Sequence, residues 1–252
     1  MACGSKIKAW VDDTHHLGDV IMALNVLYNI ARERGETINV KVANKHLASQ
    51  LCSIFDYEKN LEFASSNGGK FVHFCVARHI GIKDVSARFC HMSLGGISDI
   101  DYGMVNGFEL PKCIIKPERN LDERCFQMDG RSPWSGKPRM RRFQMMQIIQ
   151  MFGKGKATCI GGPGTGRYVD HPDFYVSDLI GLSKRILGSN GFFGADSGMS
   201  HLAGTLQVPG DIVVQSNDKD LRYSECVHRV YNSIYPTLRT HKRTIINHFP
   251  LL

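Results

Sequence analysis

The chain has 252 residues, of which 42% are hydrophobic and 22% charged, and it carries a formal net charge of +7. This length suffices for one large or two small domains with a real core, and the composition excludes a disordered or fibrous chain. No apolar run approaches the ~20 residues of a membrane span, and Met1-Ala2-Cys3-Gly4-Ser5-Lys6 lacks the apolar core of a secretory signal.

The eight cysteines are dispersed, with no Cys-x-x-Cys pair. The expectation is reduced thiols in a cytoplasm, without a disulfide frame or zinc site. The positive charge favours anionic partners and concentrates in Arg131 to Arg142 and in Arg239 to Arg243.

In chain order, Ile7 to Val11 reads as a first buried strand, and Asp12 to Asp19 as a polar loop. Val20, Ile21, Ala23, Leu24, Leu27, Tyr28 and Ala31 then mark an amphipathic helix that Gly35 closes. Ile38 to Ala43 is a second strand, Asn44 starts a helix through Leu47, Leu51 and Ile54, and Phe71 to Ala77 is a third strand. From Gly81 to Pro117 the pattern weakens into a long loop or surface excursion, with Pro111 to Glu118 as a connection between halves.

Alternation resumes with a strand at Arg124 to Met128, a loop at Asp129 to Pro138, a helix at Met140 to Phe152 and a strand at Ala157 to Ile160. A glycine-rich turn, Gly161-Gly162-Pro163-Gly164-Thr165-Gly166, follows. It has neither the spacing of a dinucleotide fingerprint nor a Walker lysine–serine pair. A helix at Val176 to Leu187, a strand and helix around residue 197 and a strand at Asp211 to Gln215 come next. Ser224 to Leu252 reads as a helix and a tail that packs back. The alternation predicts an α/β fold of two parallel-sheet, Rossmann-like domains, residues 1–117 and 118–252, facing each other across a cleft at the carboxyl ends of their strands.

Two stretches carry chemistry. The first is Asp12-Asp13-Thr14-His15-His16-Leu17-Gly18-Asp19, where a carboxylate could take a proton from a hydroxyl. On proximity alone Asp12 and Asp13 rival Asp19, which could also serve only the helix dipole. The second is Gly194-Ala195-Asp196-Ser197-Gly198-Met199-Ser200-His201, a strand, a tight turn and a helix start. Asp196 or Ser197 is a natural N-cap, Gly198 permits close approach, and Ser197 and His201 share a helix face at the end that favours an anion.

Together, His-Leu-Gly-Asp-Val-Ile-Met-Ala-Leu and Gly-Ala-Asp-Ser-Gly-Met-Ser-His-Leu-Ala-Gly-Thr-Leu resemble the heptosyltransferase family of GT-B glycosyltransferases, the family 9 type. In that family a Gly-Asp follows the first strand, and Asp-Ser/Thr-Gly-x-x-His-x-Ala opens a late helix of the second domain. Between the motifs the likeness is one of pattern, and this chain is shorter than typical members.

The resemblance implies inverting sugar transfer from a nucleotide sugar, without an obligatory metal or other cofactor. It makes the first domain the acceptor side and the second the nucleotide-sugar side. Asp19 matches the general base, with His15, His16 and Gly18 beside it on the acceptor side. Asp196 matches the residue that holds the donor sugar, and Ser197, Gly198 and His201 match the group that receives the diphosphate. Arg131 and Lys137 are alternative phosphate contacts, and Gly161 and Gly162 pass close to the nucleotide.

For the acceptor, the compact size and basic charge point to a hydroxymethylated base in duplex DNA, as in glycosyltransferases of some bacterial viruses. The alternative is a saccharide or lipid-linked acceptor, as in heptose transfer to lipopolysaccharide. A non-catalytic nucleic-acid-binding protein on a degenerate transferase scaffold is the rival of another class. It would turn over no nucleotide sugar.

Overall fold

The computed structural model describes residues 8–11, 17–64, 72–74, 91–94, 97–101, 109–117, 119, 121–126, 156–161, 174–175, 178–195, 197–214, 231–232 and 234–242. The chain divides into two compact units, Met1–Ile114 and Ile115–Leu252.

In the first unit, β1 (Lys8–Val11), β2 (Ile38–Val42), β3 (Leu61–Phe63) and β4 (Val72–Phe74) form a parallel sheet in the order β3-β2-β1-β4. Helix α1 (Leu17–Arg34) joins β1 to β2, and α2 (Lys45–Ile54) follows β2. Gly35 adopts φ +63° and donates from its N–H to the Arg32 carbonyl at 3.1 Å, a left-handed stop that a side chain would strain. Asn44 caps α2 by accepting from the Leu47 N–H at 3.0 Å.

Helix α1 is buried on more sides than an amphipathic stripe requires, because Asn25 and Asn29 are enclosed along with its apolar residues. Both amides are satisfied. Asn25 Oδ1 accepts from the Tyr57 hydroxyl at 2.6 Å, and Asn29 donates to the Glu109 carbonyl at 2.9 Å and accepts its N–H at 2.8 Å. An asparagine side chain here replaces a neighbouring strand for residue 109. The same stretch is fastened again where Asp56 and Ile54 bond Lys112 and Ile114, with an antiparallel bridge from Phe55 to Cys113.

The stretch expected as a loop contains an antiparallel pair, β5 (His91–Leu94) and β6 (Ile97–Asp101). The short β3 and the single-turn helix Tyr57–Lys59 before it were also not expected.

In the second unit, β7 (Glu123–Phe126), β8 (Lys156–Gly161), β9 (Phe174–Tyr175), β10 (Phe192–Ala195), β11 (Gly210–Val214) and β12 (Leu238–Lys242) form a parallel sheet. Its order is β12-β11-β10-β7-β8-β9. Helix α3 (Leu179–Gly188) precedes β10 and α4 (Gly198–Thr205) follows it. Asp178 caps α3 by accepting from the Gly181 N–H at 2.7 Å. Phe126, Cys159, Ile160, Phe192, Phe193, Leu202 and Ile212 are wholly enclosed, which places the core along the central strands.

Two expectations change here. The C-terminal part, read as a helix and tail, contributes an edge strand, β12, beside β11. Gly161, expected in a turn, is the last residue of β8 and pairs with Tyr175. The expected helix at Met140 to Phe152 and loop at Asp129 to Pro138 lie outside the described residues.

Candidate functional site

The strand order of the second unit matters more than any single residue. Passing from β7 through β8 to β9 the chain builds outward on one side, and from β10 through β11 to β12 on the other. The direction therefore reverses between the paired strands β7 and β10. Open parallel sheets bind ligands just outside the carboxyl ends of the strands at such a reversal, because the two following connections diverge and leave a crevice. Residues 196–198 follow β10, and the stretch with Arg131 and Lys137 follows β7. The strands that precede the two candidate segments in sequence, β7 and β10, are thus neighbours in the sheet. The first unit repeats the scheme, reversing between β1 and β4, with Gly18 and Asp19 in the first turn of the helix after β1.

In the apolar run Phe192-Phe193-Gly194-Ala195 the first two residues pair with β7 and all four pair with β11, which carries the strand to its carboxyl end. Ser197 is the N-cap of α4, with extended backbone at φ −160° and ψ 168°. Its carbonyl accepts the N–H groups of Ser200 at 3.0 Å and His201 at 3.2 Å. Its side chain makes no capping bond to the helix. Gly198 and Met199 stand at first-turn positions, where a helix offers amides with no partner of its own and the positive end of its dipole. Chemically this end of α4 can accept a phosphate.

His201 lies one turn further on, only 5% exposed. Its Nδ1 is 3.2 Å from the Tyr235 hydroxyl and its Nε2 3.3 Å from that of Tyr231. Its ring stacks on Tyr231, with centroids 5.0 Å apart and planes at 17°, and meets Tyr235 edge-on. The histidine expected at the diphosphate therefore has both ring nitrogens beside tyrosine hydroxyls. Neither tyrosine was singled out in the sequence, although their spacing of four residues was a visible signal.

Gly204 lets this group close. A Cβ there would stand 2.5 Å from Cγ and Cδ1 of Tyr235. By helix propensity alone Gly204→Ala stabilises by about 1 kcal/mol. Overpacking costs about 1–3 kcal/mol, and with an aromatic ring in the way it is the larger effect. The expected outcome is a net loss of up to about 2 kcal/mol in urea unfolding. A more stable variant would show that Tyr235 does not pack there.

The remaining candidates divide simply. Gly18 is buried in α1, and Asp19 stands in its first turn. His15, His16, Arg131, Lys137, Gly162 and Asp196 lie outside the described residues, as do the rivals Asp12 and Asp13. Among the described residues no group of three His, Cys, Asp or Glu could hold a metal ion. No described helix is long and apolar enough to cross a membrane. Among the described residues, cysteines 52, 113, 125 and 159 form no disulfide. Burial pushes the Cys52 thiol up to about 12 and that of Cys125 up to about 11, so neither is an activated nucleophile at neutral pH.

No family model and no curated protein matches the chain. Solved structures do. The fold is similar to that of E. coli heptosyltransferase WaaC with ADP, with TM-score 0.54, 10% identity, and coverage of 94% of this chain and 93% of that one. It is similar to the glycosyl transferase family 9 protein from Veillonella parvula DSM 2008, with TM-score 0.50, 13% identity and coverage of 97% and 90%. It is also similar to the iron-containing dodecameric glycosyltransferase TibC from enterotoxigenic E. coli H10407, with TM-score 0.52, 14% identity and coverage of 83% of this chain. The chain spans 59% of the length of TibC. At these identities the likeness is one of fold: this is a parallel-sheet α/β chain whose structural neighbours are glycosyltransferases.

Proposed function

We propose that this protein is an inverting glycosyltransferase that moves a sugar from a nucleotide-sugar donor to an acceptor hydroxyl. The observation that carries the reading is the position of Ser197 and Gly198. They form the start of a helix at the carboxyl end of β10, beside the reversal of strand order, in a fold similar to that of a heptosyltransferase solved with ADP.

In this reading the Asp19 carboxylate takes the proton of the acceptor hydroxyl, with Gly18, His15 and His16 on the acceptor side. The acceptor oxygen bonds to the anomeric carbon as the bond from that carbon to the β-phosphate oxygen breaks, and the configuration inverts. Asp196 holds the donor sugar. The departing diphosphate is received at Ser197 and the first amides of α4, with Arg131 or Lys137 supplying positive charge. His201 belongs to the same group through its place one turn along α4. Gly161 and Gly162, at the end of β8 and just after it, lie toward the nucleotide. That both units act on one donor and one acceptor, as in GT-B enzymes, is part of this proposal. So is turnover without an obligatory metal, for which undiminished activity in EDTA is the expected outcome.

For the acceptor we propose a saccharide hydroxyl. The named neighbours include heptosyltransferases, and one of them, TibC, was solved with ADP-D-β-D-heptose. The duplex-DNA acceptor draws no support from these neighbours, and the basic stretch Arg131 to Arg142 that suggested it lies outside the described residues.

The test is incubation with a panel of nucleotide sugars, ADP-heptose included, with release of nucleoside diphosphate followed by chromatography. Slow hydrolysis of one donor without acceptor, and faster release with a saccharide acceptor, is the expected result. Release from none of them favours the non-catalytic binding protein, and stimulation by hydroxymethylated duplex DNA alone restores the DNA acceptor.

A further inference from the structure

We infer that Tyr231 and Tyr235 are positioning residues for the diphosphate seat, acting through His201; the inference rests on the proposed function above. Helix α4 has eight residues, a length at which a helix has little stability of its own. The position of its first amides is therefore set by what holds the helix from outside. It packs on β10, α3 and β11, and its buried side chains include the apolar Met199, Leu202 and Ala203. Apolar contact resists separation but tolerates sliding. A polar pin with fixed geometry does not.

His201 is that pin. Its N–H donates to the Ser197 carbonyl at 3.2 Å, its own carbonyl accepts from the Thr205 hydroxyl at 2.9 Å, and its two ring nitrogens face two tyrosine hydroxyls. In a neutral ring one nitrogen donates and the other accepts, so one tyrosine receives a hydrogen bond and the other gives one. Because a tyrosine hydroxyl can play either part, both tautomers suit the pair, and what the two hydroxyls fix is the ring's orientation.

The tyrosines are themselves tied to the sheet. The Tyr235 N–H donates to the Tyr231 carbonyl at 2.9 Å, which sets the two side chains on one face of a helical turn. The Leu238 N–H then donates to the Tyr235 carbonyl at 2.9 Å, and the Gly210 N–H to that of Thr237 at 3.0 Å, where β11 and β12 begin to pair. A continuous path thus runs from the edge of the sheet, through the tyrosines and the His201 ring, to the carbonyl of the N-cap. It delivers rigidity to the two residues that meet the diphosphate. A displacement of about 1 Å at such a seat weakens binding and reaction together.

The experiment compares ADP with AMP in calorimetric titrations of the full chain, below its unfolding temperature, since their ratio isolates what the β-phosphate contributes. In the wild type ADP binds more tightly than AMP. In Tyr235→Phe that preference falls about fivefold to tenfold while AMP affinity stays within about twofold, because the ring still packs and only the hydroxyl is lost. A purely structural role would lower the unfolding temperature and leave the ratio unchanged, and that result overturns the inference. Should Tyr235→Phe not fold, Tyr231→Phe carries the same test, since its hydroxyl meets the other ring nitrogen. A wild type that binds none of ADP, UDP, GDP or CDP removes the glycosyltransferase reading itself, and this inference with it. Unchanged preference in variants of a protein that does bind ADP removes the inference alone.

Discussion

Asp19→Asn is expected to lower sugar transfer by about 10²–10⁴-fold, the usual contribution of a general base. Affinity for nucleoside diphosphate should stay within about twofold, because the proposed seat of the diphosphate is the start of α4 and does not include Asp19. The competing account is purely structural. Asp19 occupies the first turn of α1, where a carboxylate complements the helix dipole for about 0.3–1 kcal/mol. On that account the substitution costs a little stability and leaves turnover alone. Steady-state kinetics and thermal unfolding on one preparation separate the two, and Asp12→Asn and Asp13→Asn test the rival carboxylates. Full activity in Asp19→Asn, with loss in either of the others, would move the base to that residue.

The second large effect is on stability. Asp211, on β11, is 1% exposed, and its carboxylate gathers three basic side chains. Oδ1 lies 3.0 Å from Arg239 Nε and 2.9 Å from His241 Nε2, both on β12, while Oδ2 accepts from Arg239 Nη2 at 3.2 Å and lies 3.4 Å from Arg124 Nη1 on β7. One buried acid thus ties the edge strand to β11 and reaches across β10 to β7. Removing a single partner from a buried charged group is costly because the others lose their compensation. Asp211→Ala is accordingly expected to cost about 2–4 kcal/mol. Arg239→Ala should cost below about 1 kcal/mol, since its side chain is 70% exposed and water replaces the lost contact. Urea unfolding of the two variants measures the contrast. Equal costs would mean that Asp211 is solvated and the cluster holds nothing together.

That cluster also shows why part of the fold was hidden in the sequence. Leu-Arg-Thr-His-Lys falls in the part read as a helix and a tail that packs back, because Arg239 and His241 interrupt any apolar run that would mark a strand. Their partner is an aspartate 28 and 30 residues earlier in the chain, and no local pattern reports it. The strands β3 and β9, three and two residues long, are too short for any period to show. The pair β5 and β6 did leave a signal that went unread, since Gly95-Gly96 between two short runs is a two-residue hairpin pattern.

The legible parts were those where local chemistry and tertiary need agree. Asn44 as a cap, Gly35 as a stop and the apolar run into Ser197 and Gly198 are each decided by their own backbone. In the candidate site, the strand–turn–helix junction was readable for that reason. Its significance was not, because the reversal between β7 and β10 is a property of strand order. The spacing of Tyr231 and Tyr235 was visible, but that they meet His201 was not, as both come from the C-terminal part.

The most direct measurement of the central claim is a crystal structure of the protein with a nucleoside diphosphate. The account predicts a β-phosphate oxygen about 3 Å from the amide nitrogen of Gly198 or Met199, at the start of α4. A nucleotide bound elsewhere in the second unit with that helix end untouched, or no binding at millimolar concentration, would contradict it.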